Sequence, residues 1–437
     1  MIGGVVFMSE KLAEVYEQYD MEILSTRKGR GATILTTTDG LRILEPFRGS
    51  ITRLEQEYVL KQLLSEEGCM NFDKIIPNRD GQLLTCDKYR QPFVLKCHFA
   101  GNECDMRNLE DVLRAVKALA EFHIKGQKVV MRYADRWEQC RKEKEQKKIA
   151  EIRRAIADGE ELEKIAYIYE LGENALELAL QQVEKTIAED TDCLGREQND
   201  TDRMGRQNCI EGVTGMRNTV QNMTGQVECS VQEDCRMRNV FLRHNREIKK
   251  IQKYVAKVKK KNAFEMTFQK VAEQYLQKGM ECVDMLEQMV AGENGISMHS
   301  VWQRHYGICH GSYNHHNVIL GEDTTAIVHF ERFSRGNQLE DLYQFARKAM
   351  EKNHFDLVLL EDILQTYSKG IFLEKEDYYY LYILFAYPEK FWKIANNYYN
   401  SSKAFMSPKY LEKLQTVILQ EQEKQEMLSR YWGFHSL

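Results

Sequence analysis

Apolar and polar positions keep two different rhythms along this chain. Up to about residue 96 the apolar residues fall in short runs, Met21–Ser25, Ala32–Thr36 and Leu41–Leu44, separated by turn-forming stretches around Gly29, Gly31 and Asp39-Gly40. Short β-type runs punctuated by Gly and Asp read as antiparallel hairpins, so three strands are predicted. From Ser50 to Leu64 the spacing becomes helical, with Leu54, Tyr58, Leu60, Leu63 and Leu64 apolar and Ser50 placed to cap the first turn. Two further strands are predicted over Gln82–Thr85 and Phe93–Lys96, and a helix over Asn108–Ile124. The expected order is three strands, a helix, two strands, and helices from there on.

The helical rhythm then dominates. A charged helical hairpin is predicted over 138–187, turning near Asp158-Gly159, and 188–237 has no period of either kind. A segment with so little apolar surface to bury does not offset the entropy of ordering, so 188–237 reads as a disordered insertion containing Cys193, Cys209, Cys229 and Cys235. Asn239–Lys261 places His244, Ile248, Ile251, Val255 and Val258 on one seam amid many basic residues. Further helices are predicted over Phe264–Val290, Leu339–Met350, Asp356–Tyr367, Lys375–Ala395 and Tyr410–Tyr431.

Composition narrows this picture. With 61 Lys plus Arg against 66 Asp plus Glu, the net charge of −5 names neither a nucleic-acid nor a membrane partner, and neither is expected. No apolar run approaches the ~20 residues that span a bilayer. The apolar start at Met1–Met8 lacks a basic flank, so it is a poor secretory signal and synthesis in a cytosol is expected. The 11 Cys contain no C-x-x-C pair, so neither a disulfide framework nor a zinc ribbon is predicted. None of the five Pro lies between Pro92 and Pro388, consistent with a mainly helical middle.

The informative stretch is His310-Gly-Ser-Tyr-Asn-His-His-Asn-Val-Ile-Leu320, followed by Thr325-Ala-Ile-Val-His-Phe330 and Glu331. A loop, a short strand, a tight turn and a second strand, set in a helical region, resemble the catalytic hairpin of the kinase superfamily. Such a hairpin uses a carboxylate to orient the acceptor hydroxyl, an Asn to bind magnesium, and an Asp ending the second strand to bridge magnesium and phosphates. In aminoglycoside-phosphotransferase-like members the loop reads H-G-D-x-x-x-x-N. His310, Gly311 and Asn317 match it, but Ser312 stands at the base position and His329 at the main metal position. A serine hydroxyl does not accept a proton near neutral pH, and a neutral imidazole is a poor ligand for hard magnesium.

The same resemblance assigns the remaining positions. Glu45, in Leu44-Glu-Pro-Phe47, ends the third strand where this fold carries its phosphate-binding Lys, and so reverses the charge expected there. Gly29 and Gly31 fall in the turn that would lie over a nucleotide, where a plain hairpin turn is the alternative reading. Glu55 or Glu57 would be the helix carboxylate that pairs with the Lys, and Asn317, His329 and Glu331 would be the metal-site positions. Asp341 opens a helix after the loop and is read as a structural carboxylate bonding loop backbone.

Four stretches together resemble the CotS-type spore-coat proteins: Val240–Ile251, the loop His310–Val318, Asp341–Lys348 with Met350–Asn353, and Ala386-Tyr-Pro-Glu-Lys-Phe-Trp-Lys393. The resemblance implies an α+β, bilobal protein-kinase-like fold, with a small antiparallel-sheet N-lobe over 1–96 and a large helical C-lobe over 97–437. It also implies synthesis in the mother-cell cytoplasm, deposition in the spore coat and other spore-coat proteins as partners. The expectation is a degenerate, non-catalytic coat component with no cofactor. The alternative is an atypical ATP-dependent phosphotransferase using ATP and magnesium.

Six of the 11 His lie between His299 and His329, which raises a transition-metal site. Cys309 with His329 raises a nucleophile pair, against the plainer reading of a buried strand Cys. The aromatic region from Tyr378 through Phe391-Trp392 to Tyr398-Tyr399 could face a partner, though core packing accounts for most of those rings.

Overall fold

The computed structural model describes residues 12–157 (except 30 and 70), 236–400 and 408–434. The N-terminal part is one antiparallel sheet of five strands: β1 Ile23–Lys28, β2 Thr33–Thr37, β3 Gly40–Pro46, β4 Thr85–Cys86 and β5 Pro92–Cys97, ordered β1-β2-β3-β5-β4. Two helices flank it, α1 over Ala13–Tyr16 and α2 over Ile51–Glu66. Strand alternation divides the residues of β3 and β5 between two faces. Leu44, Phe93 and Leu95 pack with Val15, Tyr16, Tyr19 and Leu35 on the α1 side. Val94 packs with Leu54 of α2 and Ile75 on the other side. Period two therefore also sends Glu45 and Lys96 toward α2, since Glu45 pairs with Val94 in register and Lys96 lies two residues beyond Val94. Ser50 caps α2 by accepting the Arg53 N–H at 3.4 Å.

After β5 the chain is mainly helical: α3 Leu109–Ala157, α4 Arg236–Lys257, α5 Ala263–Ala291, α6 Met298–His305, α7 Leu339–Lys352, α8 Leu357–Ser368, α9 Lys375–Ala386, α10 Glu389–Asn400 and α11 Lys409–Phe434. Between α6 and α7 two small sheets carry the loop. β6 Asn102–Glu103, β8 Val318–Leu320 and β9 Thr325–Ile327 form one, and β7 Tyr306–Cys309 pairs with β10 Ser334–Asn337 in the other. Residues 134–228 form a unit of their own, of which 134–157 are described as α3.

The expected fold class, an antiparallel sheet with one crossing helix followed by a helix-rich part, is the fold observed. Several local expectations differ. α3 continues to Ala157 where two helices were predicted, because no Gly or Pro interrupts it after Gly126. Arg236 and Met237, placed at the end of the disordered insertion, already belong to α4; the rest of that insertion, with its four Cys, and the hairpin beyond Ala157 lie outside the described residues. The helix predicted over Lys375–Ala395 is two helices, since Pro388 holds Tyr387 extended at φ −58°, ψ 133°. Helix α6 and strands β6, β7 and β10 had no legible period, being eight residues or fewer.

One core of the helical part joins α4, α5, α10 and α11. Ile248, Ile251 and Val255 meet Phe264, Phe268, Tyr275, Phe391, Ile394, Tyr398 and Leu414. Phe391 stacks against Tyr275 and Phe268 with centroids 4.1 and 5.4 Å away. The aromatic run is therefore mostly core: Tyr380, Phe391 and Tyr398 are buried. Replacing Phe391 by Ala should cost about 3–5 kcal/mol, measured as a shift in chemical-denaturation midpoint at unchanged m-value.

Candidate functional site

The candidate site is built where the sheet, α2 and the β8–β9 hairpin meet. α2 contributes Glu57 and Lys61, four residues apart on one buried face. The segment after α2 contributes Asp73, and the β5 alternation contributes Lys96, only 3% exposed. Lys61 Nζ donates to Asp73 Oδ1 and to the Asp73 carbonyl, each at 2.7 Å, and to Glu57 Oε1 at 2.5 Å. Lys96 Nζ lies 3.1 Å from Glu331 Oε1, 3.6 Å from Asp73 Oδ2, 3.7 Å from Glu57 Oε1 and 4.0 Å from Glu45 Oε2. Two ammonium groups thus share four carboxylates.

The charges set one another's protonation. Burial pulls Lys96 down, but Asp73, Glu57, Glu331 and Glu45 outweigh it and hold the ammonium well above its usual range. Burial pushes Asp73 up, yet Lys61, Lys96 and the hydrogen bonds from Lys61 and the His329 N–H leave it below the ordinary value of 3.8. Glu331, likewise opposed by burial, is held far below the carboxylate range by His329 and Lys96. The His329 imidazole is raised above 6.5, first by its hydrogen bond with Glu331.

His329 adopts φ 66°, ψ 64°, a left-handed conformation uncommon for a residue with a Cβ. Its N–H donates to Asp73 Oδ2 at 3.1 Å, and its Nδ1 lies 3.5 Å from Glu331 Oε1. Arg53 of α2 holds the following turn, donating to the Glu331 carbonyl at 2.9 Å and to the Phe333 carbonyl while lying over the Phe333 ring.

The loop is held from below by Asp341. Its Oδ2 accepts the His310 N–H at 2.5 Å and its Oδ1 the Gly311 N–H at 3.0 Å. His123 Nε2 stands 3.5 Å from Oδ2, and His123 Nδ1 meets the Tyr367 hydroxyl at 2.8 Å. His310 is fully buried, its Nε2 3.0 Å from the Val328 carbonyl. Burial lowers the His310 imidazole below 6.5 despite Asp341, so it sits in the loop as a neutral ring. Gly311 needs to be glycine: φ is 72°, and a Cβ would stand 2.1 Å from the Arg332 carbonyl oxygen. Tyr313, also buried, donates to the Ala115 carbonyl at 2.7 Å and ties the loop to α3. Asn317 donates to the Ser312 carbonyl at 2.9 Å, as does Asn314 at 2.8 Å.

The structure thus brings Glu45, Glu57, His329 and Glu331 to one cluster, and His310, Ser312, Asn317 and Asp341 to one loop. Gly29 and Gly31 form the β1–β2 turn, with the Gly29 N–H donating to the Ala32 carbonyl at 2.8 Å and Gly31 at φ 77°. One correction concerns Glu45: it does not leave the place without a cation, because Lys96 of the neighbouring strand reaches the same carboxylates. Lys61, Asp73 and Lys96 were missed by reading the sequence. A lysine inside the apolar run Phe93-Val-Leu-Lys-Cys97, and a Glu57/Lys61 pair on the apolar side of a helix, were the signals available.

A divalent metal does not fit these side chains as they stand. Asn317 spends its Nδ2 on the loop backbone and keeps its Oδ1 as an oxygen ligand, but Glu331 is engaged by Lys96 and His329 offers nitrogen to an ion that prefers oxygen. Among the described residues no group of three or more His, Cys, Asp or Glu is arranged to hold a metal ion, and His315 and His316 stack on each other, with His316 bonded to Glu103. Cys309 is buried in β7, and burial with Asp341 and Glu340 pushes its thiol well up, away from a nucleophilic thiolate.

No protein-family model matches the chain, and no curated protein matches it by sequence. Among solved structures it is similar to an aminoglycoside phosphotransferase from Alicyclobacillus acidocaldarius, at 12% identity and TM-score 0.61 over 95% of this chain and 93% of that one. A spectinomycin phosphotransferase (10% identity, TM-score 0.45, 95% and 97%) and a microcompartment-associated aminopropanol kinase (11%, 0.45, 95% and 97%) also align. At such identities the likeness with the first of these carries the fold, which is the aminoglycoside-phosphotransferase and kinase-like fold.

Two outcomes are expected at this site. Lys96→Met removes one cation from a buried set of carboxylates and should cost about 3–5 kcal/mol in denaturant unfolding. In an NMR titration His329 should have its midpoint above 6.5, and Glu331→Gln should lower it, because the carboxylate that favours the imidazolium is gone. The sign for stability follows: the His329–Glu331 contribution is complete below 6.5 and fades as pH rises through the raised midpoint.

Proposed function

We propose that this protein is a kinase-fold component without phosphotransfer activity, a spore-coat protein of the CotS type made in the mother-cell cytoplasm and acting through other coat proteins. The observation that carries the first half is the setting of Lys96. In an active site of this fold the Lys–Glu pair leaves the ammonium facing phosphate oxygens. Here Glu331 takes that place at 3.1 Å, and Glu45 and Asp73 add further negative charge. A nucleotide triphosphate would have to displace a carboxylate from its ammonium while approaching others of its own sign. Ser312 offers no proton acceptor and His329 no suitable magnesium ligand, so two groups that each contribute orders of magnitude in rate are replaced. The coat assignment rests on the four sequence stretches named above.

The rival reading, an atypical ATP-dependent phosphotransferase, is favoured by one observation. Lys96 and Glu57, 3.7 Å apart, rebuild the Lys–Glu pair from β5, and Glu331 is a carboxylate two residues past His329. It requires Glu331 to leave Lys96 for the metal.

Millimolar ATP with Mg²⁺ or Mn²⁺ should leave the thermal midpoint unchanged, whereas a ligand at 100 times its Kd would add about 2.7 kcal/mol. Labelled ATP should yield no phosphate transfer to the protein or to coat extracts. Turnover that disappears in Asn317→Ala would establish the rival reading. A fluorescent fusion in a spore-forming host should ring the developing spore; a diffuse signal would overturn the coat assignment.

A further inference from the structure

The most basic stretch of the chain takes no part in the candidate site. On α4, Arg243, Arg246, Lys250, Lys253 and Lys257 recur at spacings of three, four, three and four residues. At about 100° per residue they fall within a band roughly 80° wide, and at about 1.5 Å per residue the band is roughly 21 Å long, with about one cation per turn. The opposite side of the helix buries His244, Ile248, Ile251 and Val255 in the core. All five cations are exposed, as is Lys249 beside them, and among the described residues none of the six has a carboxylate partner. Elsewhere on the same surface cations are paired, as Arg238 is with Glu287 and Lys278 with Glu421. Like charges three and four residues apart destabilise a helix, so the band carries a cost that no ion pair among the described residues relieves.

Beside the band, α4 and α5 leave an open groove of about 260 Å³. Leu242, Met280 and Val283 give it an apolar floor, and Met280 is 49% exposed. Arg246 and Lys249 stand on its α4 wall, Asp284 and Glu287 on its α5 wall. Asn245, 6% exposed, also lines it: Oδ1 accepts the Tyr387 hydroxyl at 3.0 Å, while Nδ2 has no acceptor among the described residues. A buried donor left unpaired costs about 1–3 kcal/mol.

We propose that this face docks an acidic polypeptide segment, with a bulky apolar side chain in the groove and carboxylates spaced about one helical turn apart along the α4 band. Carboxylates at that spacing meet the cations as charged flanks meet in paired helices. The groove's floor asks for an apolar group, which polyphosphate and nucleic-acid backbones do not offer, and its Asp284 and Glu287 wall repels phosphates. A membrane surface fits less well because the apolar side of α4 is buried and supplies no wedge. The proposal stands whether or not the candidate site binds nucleotide.

The test uses the full chain and a fluorescein-labelled peptide of about 14 residues, a length that spans about 21 Å as a helix, made of Glu with two central Leu. Anisotropy should show saturable, salt-sensitive binding. Lys250→Glu with Lys253→Glu should weaken it at least about tenfold, both residues being exposed and the thermal midpoint staying near wild type. Met280→Asp should weaken this peptide while leaving the weaker binding of an all-Glu peptide unchanged. Absence of saturable binding, indifference to both variants, or tighter binding by inorganic polyphosphate, oligo-dT or phosphatidylglycerol vesicles would overturn the proposal.

Discussion

Two ammonium groups held out of water by carboxylates from four separate segments are the constraint on which the site depends. Glu45 comes from β3, Glu57 from α2, Asp73 from the chain before β4 and Glu331 from the turn after β9, and all converge on Lys61 and Lys96. Desolvating such charges costs several kcal/mol per ion unless every partner is in place. The cluster therefore ties the sheet, its helix and the β8–β9 hairpin to one geometry. Asp73 extends that link by also accepting the His329 N–H, which holds the hairpin's left-handed corner.

The second anchor is Asp341, which fixes the loop by its backbone rather than its side chains. Because it accepts the N–H groups of His310 and Gly311, the loop keeps its path whatever occupies position 312. This separates architecture from chemistry. His310, Gly311, Tyr313 and Asp341 are the groups that hold the loop.

Three stretches far apart in the chain, Val240–Ile251, Met350–Asn353 and Ala386–Lys393, have a shared physical basis. Phe241 of the first stacks on Tyr387 of the last with centroids 3.5 Å apart, and His244 stacks on Trp392. Trp392 Nε1 donates to Glu247 at 2.6 Å, and Lys390 bridges to Glu351 at 2.9 Å. Motifs far apart in the chain are thus one interlocked piece of the helical part, with α5 supplying the surface beneath.

The sequence by itself determined the fold class, the succession of three strands, a helix and two strands along the first part of the chain, the Ser50 cap of α2 and the loop from His310 to Asn317. These are local or periodic signals: turn glycines, alternation, helical spacing and one contiguous motif. Only the tertiary structure decided that Lys96 comes within reach of Glu45 and Glu57, and that Lys61 and Asp73 complete the cluster. Which side chain reaches a buried charge depends on strand register and on the angle at which α2 crosses the sheet, and both are set by packing between segments distant in the chain.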